Sequence, residues 1–154
     1  MFASINAFAE AVEIDGIYYN LVTKIKQAEV TENPNKYTGT VNIPETVTYN
    51  DVTYSVTSIG NEAFSGCSGL TSVNIPCSVT SIGNDAFIDC YRLADVYCYA
   101  GNVPSTERIV FNNSDIRKAT LHVPAASIEQ YKTTEPWSNF GTIVAIDNTE
   151  TQAS

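Results

Sequence analysis

The sequence contains a single histidine, His122, which limits the acid–base chemistry that the chain could perform. A Ser/His/Asp arrangement would need this residue, yet no nucleophile-elbow pattern such as G-x-S-x-G accompanies it. Glu62 and Asp85 occupy equivalent positions in two copies of one repeated segment. They predict a row of solvated carboxylates and not a pair tuned for general acid–base work. We therefore predict no catalytic site.

The four cysteines could bind a metal or form disulfides, but their spacing favours neither a zinc site nor a defined bridge. No C-x-x-C motif is present, and no cysteine lies at ligand spacing from the histidine. Cys67 and Cys90 occupy the same apolar slot of the repeated segment, which favours small buried free thiols. Cys77 and Cys98 are less constrained, and a bridge involving them stays open. Calcium, phosphate and dinucleotide loops are also missing, so we predict no metal and no cofactor.

These candidate residues are positioned by a repeat that organises the chain. The segment Val56–Phe64 returns as Val79–Phe87, 23 residues later. The same step separates three further apolar positions, which are Cys67, Leu70 and Val73 and their copies Cys90, Leu93 and Val96. A fixed period of this length is typical of a solenoid, in which each repeat buries its apolar side chains against its neighbours.

Each repeat contains signals for two strands and a tight connection. In the segment 71–75, alternation predicts that Val73 and Ile75 are buried while Ser72 and Asn74 point outward. The apolar residues at 56 and 59, with their copies at 79 and 82, predict a second short strand. Residues 61–67 are too few for a helix of average length, so we expect one α or 3₁₀ turn with Phe64 pointing inward.

Strand segments of the first type occur four times, at 40–44, 71–75, 95–99 and 120–124. Their outward residues should form one continuous concave strip, the surface that solenoids commonly use for binding. The predicted ligand-binding residues are Thr40, Asn42, Ser72, Asn74, Asp95, Tyr97, Thr120 and His122. Tyr97 offers the rigid aromatic area found at binding hot spots. The alternative is a solvated sheet in which tyrosine reflects β-propensity alone.

The segments outside the clear repeats predict closing elements for one domain over residues 10–146. Alternating residues about Asn50-Asp51 predict a hairpin, and the strand 14–21 should pair with 26–31 in another. We place these N-terminal hairpins at about 14–55, the repeats at about 56–124 and a C-terminal helix/strand cap at about 125–146. The tail 147–154 is polar, and we expect it to be disordered.

Charge and hydropathy narrow the possible partners. The chain carries 17 Asp and Glu against 8 Lys and Arg, a formal net charge of −9, which disfavours nucleic-acid binding. No apolar run approaches the roughly 18 residues of a membrane-spanning helix.

The N-terminal segment allows two interpretations. Ala7-Phe8-Ala9, followed by acidic residues, fits either the end of a secretory signal peptide over 1–9 or an ordinary frayed terminus. We expect a monomer.

The repeat motif V-T-S-I-G-x-x-A-F-x-x-C-x-x-L-x-x-V-x-I-P resembles the BspA-like leucine-rich repeats of bacterial surface and secreted proteins. The segments Asp15–Tyr19 and Leu121–Ala125, with Tyr131 and Trp137, resemble the hairpin and the cap that flank such repeats. The resemblance implies a β-rich α/β solenoid, a short right-handed leucine-rich-repeat coil between these flanks. It also implies an extracellular or cell-surface location, a binding role and no cofactor.

Together these observations predict a non-catalytic binding module, secreted or displayed on the cell surface. It would recognise a protein or a glycan through the concave strip, with no nucleic-acid binding and no membrane insertion. Only two repeats are well formed, which argues against a function that needs a long concave surface. The alternative is therefore a structural or spacer module of a larger surface assembly, without a ligand of its own.

Overall fold

A computed structural model describes residues 11–146 of the chain, and strands account for most of its regular structure. The predicted signal-peptide remnant at 1–9 and the predicted disordered tail at 147–154 lie outside the described residues. The strands are β1 (Val12–Ile14), β2 (Ile17–Val22), β3 (Gln27–Thr31), β4 (Gly39–Asn42), β5 (Thr46–Tyr49), β6 (Val52–Ile59), β7 (Leu70–Ile75), β8 (Ser81–Ile82), β9 (Asp95–Cys98), β10 (Thr120–Val123) and β11 (Thr142–Ala145). The helical elements are α1 (Ile128–Lys132) and short 3₁₀ segments at Ile116–Lys118, Ala125–Ser127 and Trp137–Asn139.

The strands form two sheets. The first has the order β1-β2-β3-β6-β5, with β8 also paired to β6. Its β3–β6 and β6–β8 pairs are parallel, whereas β1–β2, β2–β3 and β5–β6 are antiparallel hairpin pairs. The second sheet has the order β11-β10-β9-β7-β4, and all four of its pairs are parallel. From β4 to β9 the chain passes back and forth between the two sheets, whereas β9, β10 and β11 follow one another in the second sheet.

Alternation along the strands sets which side chains enter the core. Val73 and Ile75 in β7 are buried, whereas Ser72 and Asn74 are only partly covered, as the sequence predicts. The hairpin β5–β6 turns at Asn50-Asp51, which is also as predicted. The predicted strand 14–21 is wrong in one respect, because the chain reverses at Asp15-Gly16 and separates β1 from β2. Both turn residues have positive φ, which no strand can accommodate.

The predicted helical turn at 61–67 is also wrong, because the chain forms non-helical turns there. Glu62 and its copy Asp85 have left-handed φ angles of 60° and 57°, which interrupt a right-handed helix. The turn amides instead donate to the next repeat: Phe64 N–H to the carbonyl of Ala86 at 2.8 Å. Hydrogen bonds of this kind connect the turns 61–66, 84–89 and 108–113. We call these three hydrogen-bonded turns the turn ladder.

An aromatic stack runs through the same turns. Its members are Tyr37, Phe64, Phe87 and Phe111, with successive ring centroids 4.7, 4.9 and 5.5 Å apart. The predicted inward orientation of Phe64 is therefore confirmed, and its ring is fully buried. Beyond Phe111 the stack meets the edges of the buried Trp137 and Phe140. Aromatic contacts thus extend from the residues before β4 to those before β11.

The side chains at the cysteine position of the repeat also link neighbouring turns through hydrogen bonds. The Cys90 thiol donates to the Phe64 carbonyl at 3.1 Å, and Ser114 Oγ donates to the Phe87 carbonyl at 2.5 Å. Ser114 therefore occupies the cysteine slot one repeat later. A small side chain with one donor satisfies a buried carbonyl without disturbing the packing. Burial raises the pKa of the Cys90 thiol to about 12, which keeps it protonated.

All four cysteines are free, which confirms the prediction for Cys67 and Cys90 and shows no bridge at Cys77 or Cys98. Cys77 alone is exposed. We expect an aromatic disulfide reagent to modify one thiol of the native protein and four after denaturation. Partial burial and the Glu45 carboxylate raise the pKa of Cys77, so its reaction should be slow. Mass spectrometry that located the label on Cys67 or Cys90 in the native protein would contradict this packing.

Candidate functional site

The eight predicted ligand-binding residues lie together on one face of the parallel sheet, and we call them the polar strip. Register aligns them in two rows across β4, β7, β9 and β10. The first row is Thr40, Ser72, Asp95 and Thr120, and the second is Asn42, Asn74, Tyr97 and His122. Thr40 and Asn42 are exposed, and the other six are partly buried. The common face of these residues is therefore as the sequence predicts, and their role in ligand binding stays a prediction.

At the β4 end of the polar strip, two amide side chains are bonded to each other. Asn74 Nδ2 donates to Asn42 Oδ1 across the β4–β7 pair. The remaining oxygen of Asn74, Oδ1, is buried and accepts no hydrogen bond from the described residues. Asn42 itself is exposed, and its Nδ2 group donates no hydrogen bond to the described residues. This end of the strip therefore presents an ordered amide group to an incoming ligand.

At the other end, Tyr97 and His122 form a stacked pair across β9 and β10. Their ring centroids are 3.9 Å apart and their planes differ by 10°. His122 Nε2 lies 2.9 Å from Asp95 Oδ1, which holds the imidazole in position from the neighbouring row. Only 14% of the His122 side chain is exposed, compared with 43% of the Asp95 side chain. The arrangement is a rigid, partly covered aromatic pair beside one accessible carboxylate.

The arrangement of His122 and Asp95 supplies two members of a hydrolytic triad. Among residues 11–146, however, no hydroxyl or thiol is hydrogen-bonded to His122. Within the same range, no group of three or more His, Cys, Asp or Glu side chains could hold a metal ion. The chemistry that the polar strip can supply directly is hydrogen bonding, aromatic contact and a single negative charge.

One part of this face was not predicted from the sequence. Residues 125–146 were predicted as a helix/strand cap, but β11 lies in register beside β10 as a fifth parallel strand. Its Thr142 pairs with Thr120 and its Val144 with His122, so both rows continue by one residue. The run of β-branched residues Thr142, Ile143 and Val144 was the available signal. Gly141 permits the close approach of this segment to the backbone at Arg117, because a Cβ at position 141 would lie 1.8 Å from the Arg117 carbonyl oxygen.

No helix among the described residues is long and apolar enough to cross a membrane. The turn ladder, the parallel sheet and the recurring Ile, Phe, Cys, Leu and Val slots together define a leucine-rich-repeat protein. The sequence matches the BspA type leucine rich repeat region over residues 34–135, in six copies. The chain therefore belongs to the BspA-type leucine-rich-repeat family.

Solved structures of three bacterial proteins have the same fold. A leucine-rich repeat protein from Bacteroides capillosus is 24% identical, with a TM-score of 0.64, and the match covers 89% of this chain and 99% of that one. A leucine rich cell surface protein from Faecalibacterium prausnitzii is 22% identical, with a TM-score of 0.51, covering 88% and 32%. A leucine-rich repeat protein from Bacteroides ovatus is 24% identical, with a TM-score of 0.50, covering 90% and 42%. The chain thus spans less than half of the last two proteins, and no curated protein matches it.

Proposed function

We propose that the protein is a non-catalytic binding module, secreted or displayed on the cell surface, that recognises a protein or a glycan through the polar strip. One observation carries the proposal: two rows of mainly polar side chains continue in register across parallel strands and include a stacked aromatic pair. Such a row provides repeated hydrogen-bonding groups at the strand spacing of about 4.8 Å. An extended ligand could contact several repeats at once.

The architecture that we propose for this module is a short right-handed coil, in which each turn adds one strand to the parallel sheet. The parallel sheet would be its concave side and would carry the polar strip. The β1–β2 and β5–β6 hairpins would close the coil at its start. The segment from α1 to β11 would close its end, where Tyr131 and Trp137 are fully buried. The module would act as a monomer.

The location that we propose is extracellular. It is supported by the family itself and by the fold shared with the leucine rich cell surface protein of Faecalibacterium prausnitzii. The net charge of −9 makes a nucleic-acid partner unfavourable. Hydroxyl, amide and imidazole groups on the strip suit the polar groups of a glycan or of a protein surface.

A spacer module of a larger surface assembly is the second candidate, and one observation favours it. Several strip residues already bond to one another, namely Asn42 with Asn74 and Asp95 with His122. A solvated sheet without a ligand would also satisfy its polar side chains in this way. Under this candidate, substitutions in the strip would change no binding property.

Replacement of Tyr97 by alanine separates the two candidates. The ring lies on β9, the third of the four strands of the strip, and stacks on His122. Its loss should weaken partner binding by at least about 30-fold, the effect of a typical hot spot. Binding would be measured by biolayer interferometry against immobilised matrix proteins and glycans. Circular dichroism of each variant would establish that it is folded.

The matched control is Tyr91→Ala, which removes the same side chain from an exposed turn, where 61% of Tyr91 is accessible. This variant should bind as the unmodified protein does. Equal affinity of Tyr97→Ala, Tyr91→Ala and the unmodified protein would reject the polar strip as the binding surface.

A further inference from the structure

The turn ladder ends at the third turn with two amides that lack an acceptor. In the first turn, Phe64 N–H and Gly66 N–H donate to the carbonyls of Ala86 and Ile88 at 2.8 and 2.9 Å. In the second, Phe87 N–H and Asp89 N–H donate to Val110 and Asn112, each at 3.1 Å. The equivalent donors of the third turn, the N–H groups of Phe111 and Asn113, have no acceptor among residues 11–146.

No fourth turn follows, because the chain passes from Asp115 through a 3₁₀ segment into β10. At this end of the turn ladder is a cavity of about 460 Å³, and both Phe111 and Asn113 line it. Since the N–H groups of the first two turns point toward the following turn, those of the third should point toward the cavity. A buried amide N–H without an acceptor is rare in folded proteins, and Phe111 is buried, so its N–H favours an external acceptor. Asn113 is exposed, and its N–H is a second donor open to the same acceptor.

The charged groups around this cavity favour an anionic acceptor. Two arginines, Arg108 and Arg117, and one carboxylate, Asp115, line it, although the chain as a whole has only 8 Lys and Arg against 17 Asp and Glu. Arg108 is paired with Glu135 at 3.0 Å, and Asp115 with Lys118 at 3.4 Å. Arg117 has no acidic partner among the described residues. The cavity therefore combines one unneutralised guanidinium with two unpaired amides.

Side-chain amides complete the lining. Asn112 and Asn139 both face the cavity and can donate to an oxygen. Ser114 also lines it, but its hydroxyl is already used on the Phe87 carbonyl. Hydrogen bonds from several donors to one charged oxygen group are stronger than those between neutral groups.

We propose that this cavity is a binding site for an oxyanion, a carboxylate or a sulfate group carried by a ligand. The Phe111 and Asn113 amides would donate to its oxygens, and Arg117 would supply the balancing charge. The anion would thus take the place of the missing fourth turn. The site is separate from the polar strip, so Tyr97→Ala should leave it unchanged.

The first test is an amide-resolved NMR titration of the full chain with sodium sulfate and, separately, with sodium acetate. Ionic strength is held constant with sodium chloride. The Phe111 and Asn113 amide protons should shift downfield and saturate, while the paired amides of Phe64 and Phe87 stay in place. Saturation with one anion alone would identify the preferred group. Shifts that grow linearly and never saturate with either salt, or no shift at these two amides, would overturn the proposal.

The second test compares two arginine variants of equal charge. Arg117→Ala removes the cavity guanidinium and should weaken anion binding at least about tenfold, the usual effect of losing one hydrogen bond to a charged group. Arg92→Ala removes an exposed arginine from the preceding turn region and should have no effect. Equal weakening in both variants would show a general charge effect and reject the site.

Discussion

Replacement of Phe87 by alanine is expected to lower the free energy of unfolding by about 3–5 kcal/mol. Phe87 lies in the middle of the aromatic stack, with ring contacts at 4.9 Å to Phe64 and 5.5 Å to Phe111. Its side chain is fully buried, and the cavity left by alanine would be enclosed by two neighbouring repeats. The stability of a whole domain is about 5–15 kcal/mol, so this loss could unfold much of the protein.

Urea unfolding followed by circular dichroism measures this effect. Phe87→Leu should cost less, because leucine refills most of the space. Tyr91→Ala, at an exposed position, should change stability by no more than about 0.5 kcal/mol. A loss below about 1 kcal/mol for Phe87→Ala would mean that the repeats do not depend on the aromatic stack.

Replacement of Gly83 by alanine should have the second large effect, about 3 kcal/mol, at the upper end for overpacking. A Cβ at this position would lie 2.5 Å from the Asn61 backbone nitrogen and 2.8 Å from the Gly60 carbonyl carbon. These are backbone atoms of the preceding repeat, so no side-chain rotation can relieve the contact. The repeats would have to separate, which would also strain the hydrogen bond from Gly83 N–H to the Ile59 carbonyl at 2.7 Å.

Thermal unfolding compares this variant with two other glycine variants. Gly101→Ala is the matched control, because the nearest atom to its new Cβ is Ser127 Oγ at 4.0 Å. Gly60→Ala should fall between the two, since its closest contact at 2.7 Å is with the flexible Glu29 carboxylate. Equal melting temperatures for the Gly83 and Gly101 variants would contradict the close approach of the repeats.

The strands and the core could be predicted from the sequence because they depend on local alternation repeated at a constant step. Val73, Ile75 and Phe64 are buried for this reason. The turn conformation could not be predicted in this way. Glutamate is not a residue that usually adopts positive φ, yet Glu62 does so at 60°. The benefit of that conformation is a hydrogen bond to the next repeat, which no single turn reveals.

Positions that depart from the repeat period have a weaker signal in the sequence. Tyr37 and Trp137 extend the aromatic contacts, but neither lies in a recognisable Phe slot. Phe111 follows Phe87 by 24 residues instead of 23, and Ser114 replaces the cysteine that the motif requires. The family match nevertheless identifies six copies, because degenerate repeats keep their apolar positions when the other residues change.

For the polar strip, the sequence predicted the common face of its members but not their contacts. The outward positions follow because successive side chains of a strand point to opposite faces of the sheet. The stacking of Tyr97 on His122 and the link from His122 to Asp95 depend on strand register and rotamers. β11 was assigned to a cap because its pairing with β10 depends on Gly141, whose role appears only beside the Arg117 carbonyl.

The most direct test of the central claim is a pulldown from extracellular matrix and mucosal extracts with the folded protein and with its Asn74→Ala/Tyr97→Ala variant. Both substitutions lie in the second row of the polar strip. The expected result is a specific partner that the unmodified protein retains and the folded double variant loses. Retention of the same partner by the double variant, or the absence of any partner for either protein, would contradict binding through the polar strip.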